Sequence, residues 1–203
     1  CGSYNGNIIR QAERFFREKA DGFEHLEISF IGKKGHDYFK RRLNPKWIGK
    51  LHANIMGERT FDHAVLLAND MMEHFIQGKF DHVYFIYNEF KSAMSQKVVV
   101  ETALPVTPAK PDVKAQRIDY IYEPSREELL SFLLPKYIRT QIYRMLLEAV
   151  SAEHGARMTA MDSATTNAGE MIGNLTLQAN RARQAAITTE LMEIVSGAEA
   201  LRG

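Results

Sequence analysis

The side chains capable of chemistry are dispersed along this sequence and form no constellation. Seven histidines occur, at positions 25, 36, 52, 63, 74, 82 and 154, and none is read as a metal ligand. His63 and His74 share a helical stretch but stand eleven residues apart, which reads as two surface polar groups. Asp70 and Glu73, one turn apart on the same stretch, read as a hydrated face and not as an acid–base pair. Gly32-Lys33-Lys34-Gly35 follows a strand-like run, as a phosphate loop would. It lacks the closing Gly-Lys-Ser/Thr whose lysine and hydroxyl reach phosphate and metal. No Gly-x-Gly-x-x-Gly, Walker A, His-Glu-x-x-His or Gly-x-Ser-x-Gly pattern is present either. The one cysteine, Cys1, allows neither a disulfide framework nor a cysteine zinc site. Lys33, Lys34, Lys40, Arg41, Arg42, Lys46 and Lys50 form a basic stretch opposed only by Asp37, with Trp47 nearby. A solvated face is the plain reading; weak contact with acidic partner loops or lipid headgroups is the alternative. No catalytic, cofactor or metal site is expected.

The composition sets what this sparse chemistry sits on. The 203 residues are 45% hydrophobic and 25% charged, a globular mix that excludes wholesale disorder and collagen-like repetition. Lys and Arg number 26 against 25 Asp and Glu, a net charge of +1, so no global field draws in nucleic acid or an anionic membrane. The longest apolar runs, such as Ala64–Ala68, are too short to span a bilayer, and no signal peptide is visible. The sequence does not open on Met, so a fragment or processed product is expected.

Helical and strand patterns alternate through the first part. Asn7–Ala20 spaces Ile8, Ile9, Ala12, Phe15 and Phe16 as a helix does. His25–Ile31 alternates Leu26, Ile28 and Phe30 and predicts a strand. Thr60–Gln77 carries an apolar stripe from Phe61 to Phe75 and stops at Gly78, which predicts a helix. Asp81–Asn88 encloses the run Val83–Tyr87, the pattern of a strand covered on both faces. Val98–Leu104 and Ile118–Tyr122 predict two further strands. Residues 1–124 therefore read as an α/β domain, Rossmann-like with a partly parallel sheet.

Residues 125–203 read differently. Ser125-Arg126-Glu127-Glu128 matches a capping box and predicts a short helix, Arg126–Leu133. Pro135 suits the first turn of a second helix, and no proline follows it. One helix over Pro135–Ala200 would be roughly 100 Å long at 1.5 Å per residue and would project beyond so small a domain. Two seams run along it with heptad-like spacing: Ile138, Ile142, Met145, Ala149, Ala152 and Ala156, then Ala164, Ala168, Met171, Leu175, Gln178, Ala182, Ala185, Thr189 and Met192. An ordinary bundle helix has the same periodicity. The small residues of the seam argue against a leucine zipper and for a long antiparallel partner, the best candidate being a second long helix N-terminal to Cys1. Arg181 and Arg183 precede Glu190, Glu193 and Glu199, a solvated face or the charged lining of a larger protein's bore.

Ile187-Thr188-Thr189-Glu190-Leu191-Met192-Glu193-Ile194-Val195-Ser196-Gly197-Ala198 closely resembles the signature of the gamma-subunit family of F-type ATP synthase. The similarity continues through Ala156-Arg157-Met158, Asn180-Arg181, Arg183-Gln184-Ala185, Tyr87–Ser92, Leu104-Pro105, Tyr120–Pro124 and Cys1–Asn7. The family's first long helix and first strand are not in this sequence. The resemblance implies a central-stalk rotor subunit with no active site of its own, coupling proton-driven rotation to ATP synthesis or hydrolysis at a ring of alpha and beta subunits. It implies that Arg157, Arg183, Gln184, Thr188, Glu190 and Glu193 face that ring. Tyr120, Tyr122 and Glu123 would lie at the foot, near the membrane c-ring and the epsilon subunit. It further implies a place peripheral to an energy-transducing membrane, on the bacterial cytoplasmic face. Two other readings stay open beside it. One is a coiled-coil scaffold or adaptor; the other is a Rossmann-like enzyme binding its ligand after Ile31 or Asn88.

Overall fold

The computed structural model describes residues 4–20, 22–52, 55, 60–107, 122–123 and 125–201. Helix α1, Tyr4–Ala20, buries Ala12 against Phe30 and Phe39, with Ile9 packed on the same cluster. Its next turn sets the Phe15 ring edge-on to Tyr84, 5.0 Å between centroids. Strand β1, Ile28–Phe30, pairs parallel with β2, Ile48–Leu51. A parallel pair needs a crossover. Here it is helix α2, Lys33–Phe39, and a 3-10 turn, Pro45–Trp47, started by Asn44, whose Oδ1 accepts from the Lys46 N–H at 3.0 Å. The basic stretch is therefore an exposed helix and turn. Sequence pattern had not separated these elements, because Phe39, Leu43, Ile48 and Leu51 follow neither a helical nor a strand period.

Helix α3, Phe61–Ile76, turns Ala64, Leu67 and Ala68 inward. Its start is fixed by Thr60, whose N–H donates to Nδ1 of His63 at 3.3 Å. Its end is fixed by Gly78, at φ 68, a conformation that L side chains resist. Strands β3, Val83–Ser92, and β4, Ser95–Leu104, form an antiparallel hairpin, with Tyr84 opposite Thr102 and Tyr87 opposite Val99. Alternation along β3 divides the interior. Val83 and Phe85 pack on the α3 side, while Ile86 joins the cluster under α1. Both faces of β3 are thus covered, although only Tyr87 and Asn88 are fully buried. The strand expected over Ile118–Tyr122 lies outside the described residues up to position 121; Tyr122 is in no strand.

Helix α4 runs without interruption from Arg126 to Ala200. The Ser125 side chain accepts from the Glu128 N–H at 3.2 Å, as the capping box requires. The expected division into a short helix and a second one opening at Pro135 is incorrect. Pro135 sits inside the helix; the carbonyl it leaves unbonded belongs to Ser131, an exposed residue that water can serve. By chain contacts the protein forms two units, Cys1–Arg157 and Met158–Gly203.

In the first unit Ile138, Ile142 and Leu146 of α4 close a core with Ile55, Ala64, Leu67, Ala68 and Leu104. This corrects the first seam. Ile138, Ile142, Met145 and Ala152, read as a face for a separate helix, are buried within this unit. Heptad spacing states only that one stripe is apolar, and the domain's own α3 and β4 occupy it. In the second unit, by contrast, every described residue from Met161 to Leu201 is exposed, including the whole seam from Ala164 to Met192. No helix among the described residues is long and apolar enough to cross a membrane.

Candidate functional site

The residues proposed from sequence to meet partners fall mostly on the exposed part of α4. With about 100° between successive residues, Arg183 and Glu190 share one side of the helix, and Gln184 and Thr188 share another. Glu193 lies nearer the seam of Ala182, Ala185 and Thr189. The set spreads over rather more than half of the helix circumference and forms no single face. Arg183, Glu190 and Glu193 make no ion pair among the described residues, and no side-chain hydrogen bond is made by Gln184. Thr188 differs. Its hydroxyl donates to the Gln184 carbonyl of its own helix at 2.8 Å, as Thr189 does to Ala185 at 2.9 Å. Arg157 is also held locally, its Nη2 2.6 Å from Glu153 Oε1 one turn back. Tyr122 and Glu123 are exposed, whereas Tyr120 lies outside the described residues.

One feature of this segment escaped the sequence reading. Ile187, Leu191 and Ile194 step by four and three, and all three are exposed. They lie about half a turn from Ala182, Ala185 and Thr189. The end of α4 therefore carries two apolar stripes on opposite sides, where a packed surface helix normally has one. The spacing was visible in the sequence, but attention to the alanine seam hid it.

The other polar assembly lies inside the first unit. Tyr87 of β3 is 6% exposed and donates its hydroxyl to Glu101 Oε2 at 2.8 Å. Arg144 of α4 meets both Glu101 oxygens from Nη2 at 2.9 Å, and Glu148 from Nη1 at 2.8 Å. Burial is the main cause that pushes the Tyr87 phenol up to about 12; the bond to Glu101 adds to it, and Arg144 opposes it. Burial works against the Arg144 charge, but the bonds to Glu101 and Glu148 outweigh it and hold the guanidinium more firmly protonated. A phenol raised from 10 in the unfolded chain to about 12 in the folded one supports folding fully below pH 10. That support is lost as pH climbs toward 12. Wild-type protein is thus expected to lose stability between those values faster than Tyr87→Phe does. Chemical denaturation at a series of alkaline pH values checks it; parallel slopes for both proteins would contradict it.

No three of the His, Cys, Asp and Glu side chains among the described residues converge as a metal site. A shallow hollow of about 200 Å³ between the end of β4 and α4 is lined by Glu101, Thr102, Val106, Tyr137 and Gln141, and its one carboxylate, Glu101, is already taken up by Arg144 and Tyr87. Gly32 does end β1 and precede α2, but α2 is only seven residues long. What remains conspicuous is a long exposed helix with unpaired charges.

A sequence profile described as ATP synthase matches residues 1–201. The ATP synthase gamma chain of Geotalea daltonii is 51% identical over 203 residues, covering all of this chain and 70% of that protein. The chain belongs to the ATP synthase gamma family. The gamma chain of Geobacter metallireducens is 49% identical over the same span, again covering 70% of the relative, and that of Anaeromyxobacter dehalogenans is 50% identical. Among solved structures, the central stalk and c-ring of Tetrahymena thermophila mitochondrial ATP synthase contains a similar chain. It has TM-score 0.61 and 26% identity, over 81% of this chain and 70% of that one. A chain of the Euglena gracilis mitochondrial ATP synthase shares the fold at TM-score 0.65 and 18% identity, over 99% of this chain and 68% of its own. The gamma-family resemblance read from Ile187–Ala198 therefore holds along the whole chain, and so does the α/β domain with its long C-terminal helix.

Proposed function

We propose that this gamma-family chain works as the rotor of a central stalk, with α4 turning inside a ring of alpha and beta subunits and no active site of its own. The observation that carries this reading is the run Met161–Leu201, helical to Ala200 and exposed throughout, its charged heads without ion-pair partners among the described residues. A surface that must meet three-fold repeated partners in turn gains from contacts that differ around the helix. Arg183, Gln184, Glu190 and Glu193 supply them over about half of its circumference. Contacts that differ between orientations shift the partners' equilibria only by their differential energy, so a few polar groups suffice and a strongly adhesive surface would hinder turning. Thr188 contributes through its methyl group, since its hydroxyl is engaged by the helix. Tyr122 and Glu123, with Tyr120, form the foot toward the epsilon subunit and the c-ring, and the subunit sits on the cytoplasmic face of a bacterial energy-transducing membrane without crossing it. Arg157 is placed at the ring's edge.

The test is made in the assembled complex. Arg183→Ala and Gln184→Ala should each lower ATP-driven proton pumping per ATP by roughly two- to tenfold, leaving the melting temperature of the isolated subunit unchanged. The isolated chain should bind no ATP by calorimetry. A stoichiometric micromolar ATP site, or melting of the globular unit in either variant, would contradict the reading.

A further inference from the structure

We propose that Arg144 is a positioning residue that fixes the roll of α4 against the β3–β4 hairpin, so that torque passes between hairpin and helix without slip. The inference rests on the rotor reading. Its basis is the way the guanidinium is used. Nε donates to Gln141 Oε1 at 2.9 Å; Nη1 reaches Glu148 Oε1 at 2.8 Å and the Tyr87 hydroxyl at 3.3 Å; Nη2 reaches both Glu101 oxygens at 2.9 Å. A guanidinium carries its N–H donors in a rigid planar fork, and all three of its nitrogens are engaged, Nη2 straddling the two Glu101 oxygens. The acceptors come from three elements, β3, β4 and α4 itself. Tyr87 in turn donates to Glu101, so the carboxylate that receives the fork is held from a second direction.

Position matters as much as the number of contacts. Ile138, Ile142 and Met145 mark the buried stripe of α4, and Arg144 stands off it, roughly a third of a turn from the stripe's middle. Apolar contacts are non-directional; they resist separation of helix and hairpin but resist small rotations of the helix about its axis poorly. A charged bond made off the stripe, from Nη2 to both oxygens of Glu101, resists roll with a longer lever than the stripe's own contacts. Its exposure says that stability is not its main contribution. The Arg144 and Glu101 side chains are 39% and 37% exposed, a setting in which an ion pair adds little to folding. Lysine keeps the charge but cannot form the fork.

The experiment uses the subunit assembled into its ATP synthase complex in membrane vesicles. Proton pumping per ATP hydrolysed is measured for wild type, R144A, R144K, E101Q and R144A/E101A, together with the melting temperature of each subunit. R144A is expected to lower pumping per ATP by roughly two- to tenfold while hydrolysis continues. R144K should recover little of it, and R144A/E101A should be no worse than R144A, because both remove one shared contact. E101Q, nearly isosteric, gives the same decision should R144A fail to fold. Undiminished pumping per ATP in R144A or E101Q overturns the proposal, as does a loss that R144K restores in step with melting temperature. Pumping that is the same with and without the wild-type subunit overturns the rotor reading instead.

Discussion

Ile142→Ala is expected to destabilise the globular unit by about 2–5 kcal/mol. Ile142 is 1% exposed, fully enclosed among the described residues. It lies where α4 meets α3 and the end of β4, among Leu67, Ala68, Leu104, Ile138 and Leu146. Removing three carbons there leaves a cavity that two helices and a hairpin, each held by other contacts, cannot collapse to fill. The same truncation at Ile76, 82% exposed at the end of α3, should change stability by no more than about 0.5 kcal/mol. Urea unfolding of the two variants separates these outcomes. Similar small losses for both would mean that the Ile138–Leu146 face of α4 is not the domain's core.

Leu191→Asp combined with Ile194→Asp should act in the opposite way. Both positions are exposed on the second apolar stripe of α4, so the melting of the globular unit should not move. Association with the alpha and beta subunits should weaken by roughly 100-fold or more, since each carboxylate would be carried into an apolar contact without a partner. Arg183→Ala should weaken it far less, because a charge at a wet contact contributes little affinity. Pull-down of the ring subunits, quantified against wild type, reads the difference. Unchanged capture by the double variant would remove the second stripe from the interface.

The local elements were largely legible in the sequence, and the tertiary use of them was not. The Phe61–Phe75 stripe and Gly78 gave α3 nearly to the residue, because a long periodic run bounded by a cap and a glycine admits one structure. The segment from Gly32 to Leu51 was read as an incomplete phosphate-loop pattern and a basic stretch and not as elements, since three short elements within twenty residues leave no period to detect. Pro135 looked like a boundary because the local cost of proline is certain, whereas the packing that carries α4 past it is non-local. Ile138, Ile142, Met145 and Ala152 of the first seam were seen correctly as apolar, but the domain itself buries them, for a pattern names a face and not what covers it. Arg144 and Glu148 were visible as an i, i+4 pair. Glu101, 43 residues away, and Tyr87, on the other strand, come to them only through the hairpin's register. The Ile187–Ala198 run was the exception: there a contiguous signature carried family membership directly.

The central claim is that this chain turns within its complex. Met94, at the tip of the β3–β4 hairpin and 87% exposed, offers a site for a probe: Met94→Cys with Cys1→Ser leaves one cysteine in the described sequence. A gold bead attached there, on a complex of the subunit with surface-immobilised alpha and beta subunits, reports motion of the globular unit directly. The account predicts unidirectional rotation of the bead on addition of ATP, stopping when ATP is exhausted. A bead that stays fixed while the same complexes hydrolyse ATP would contradict it.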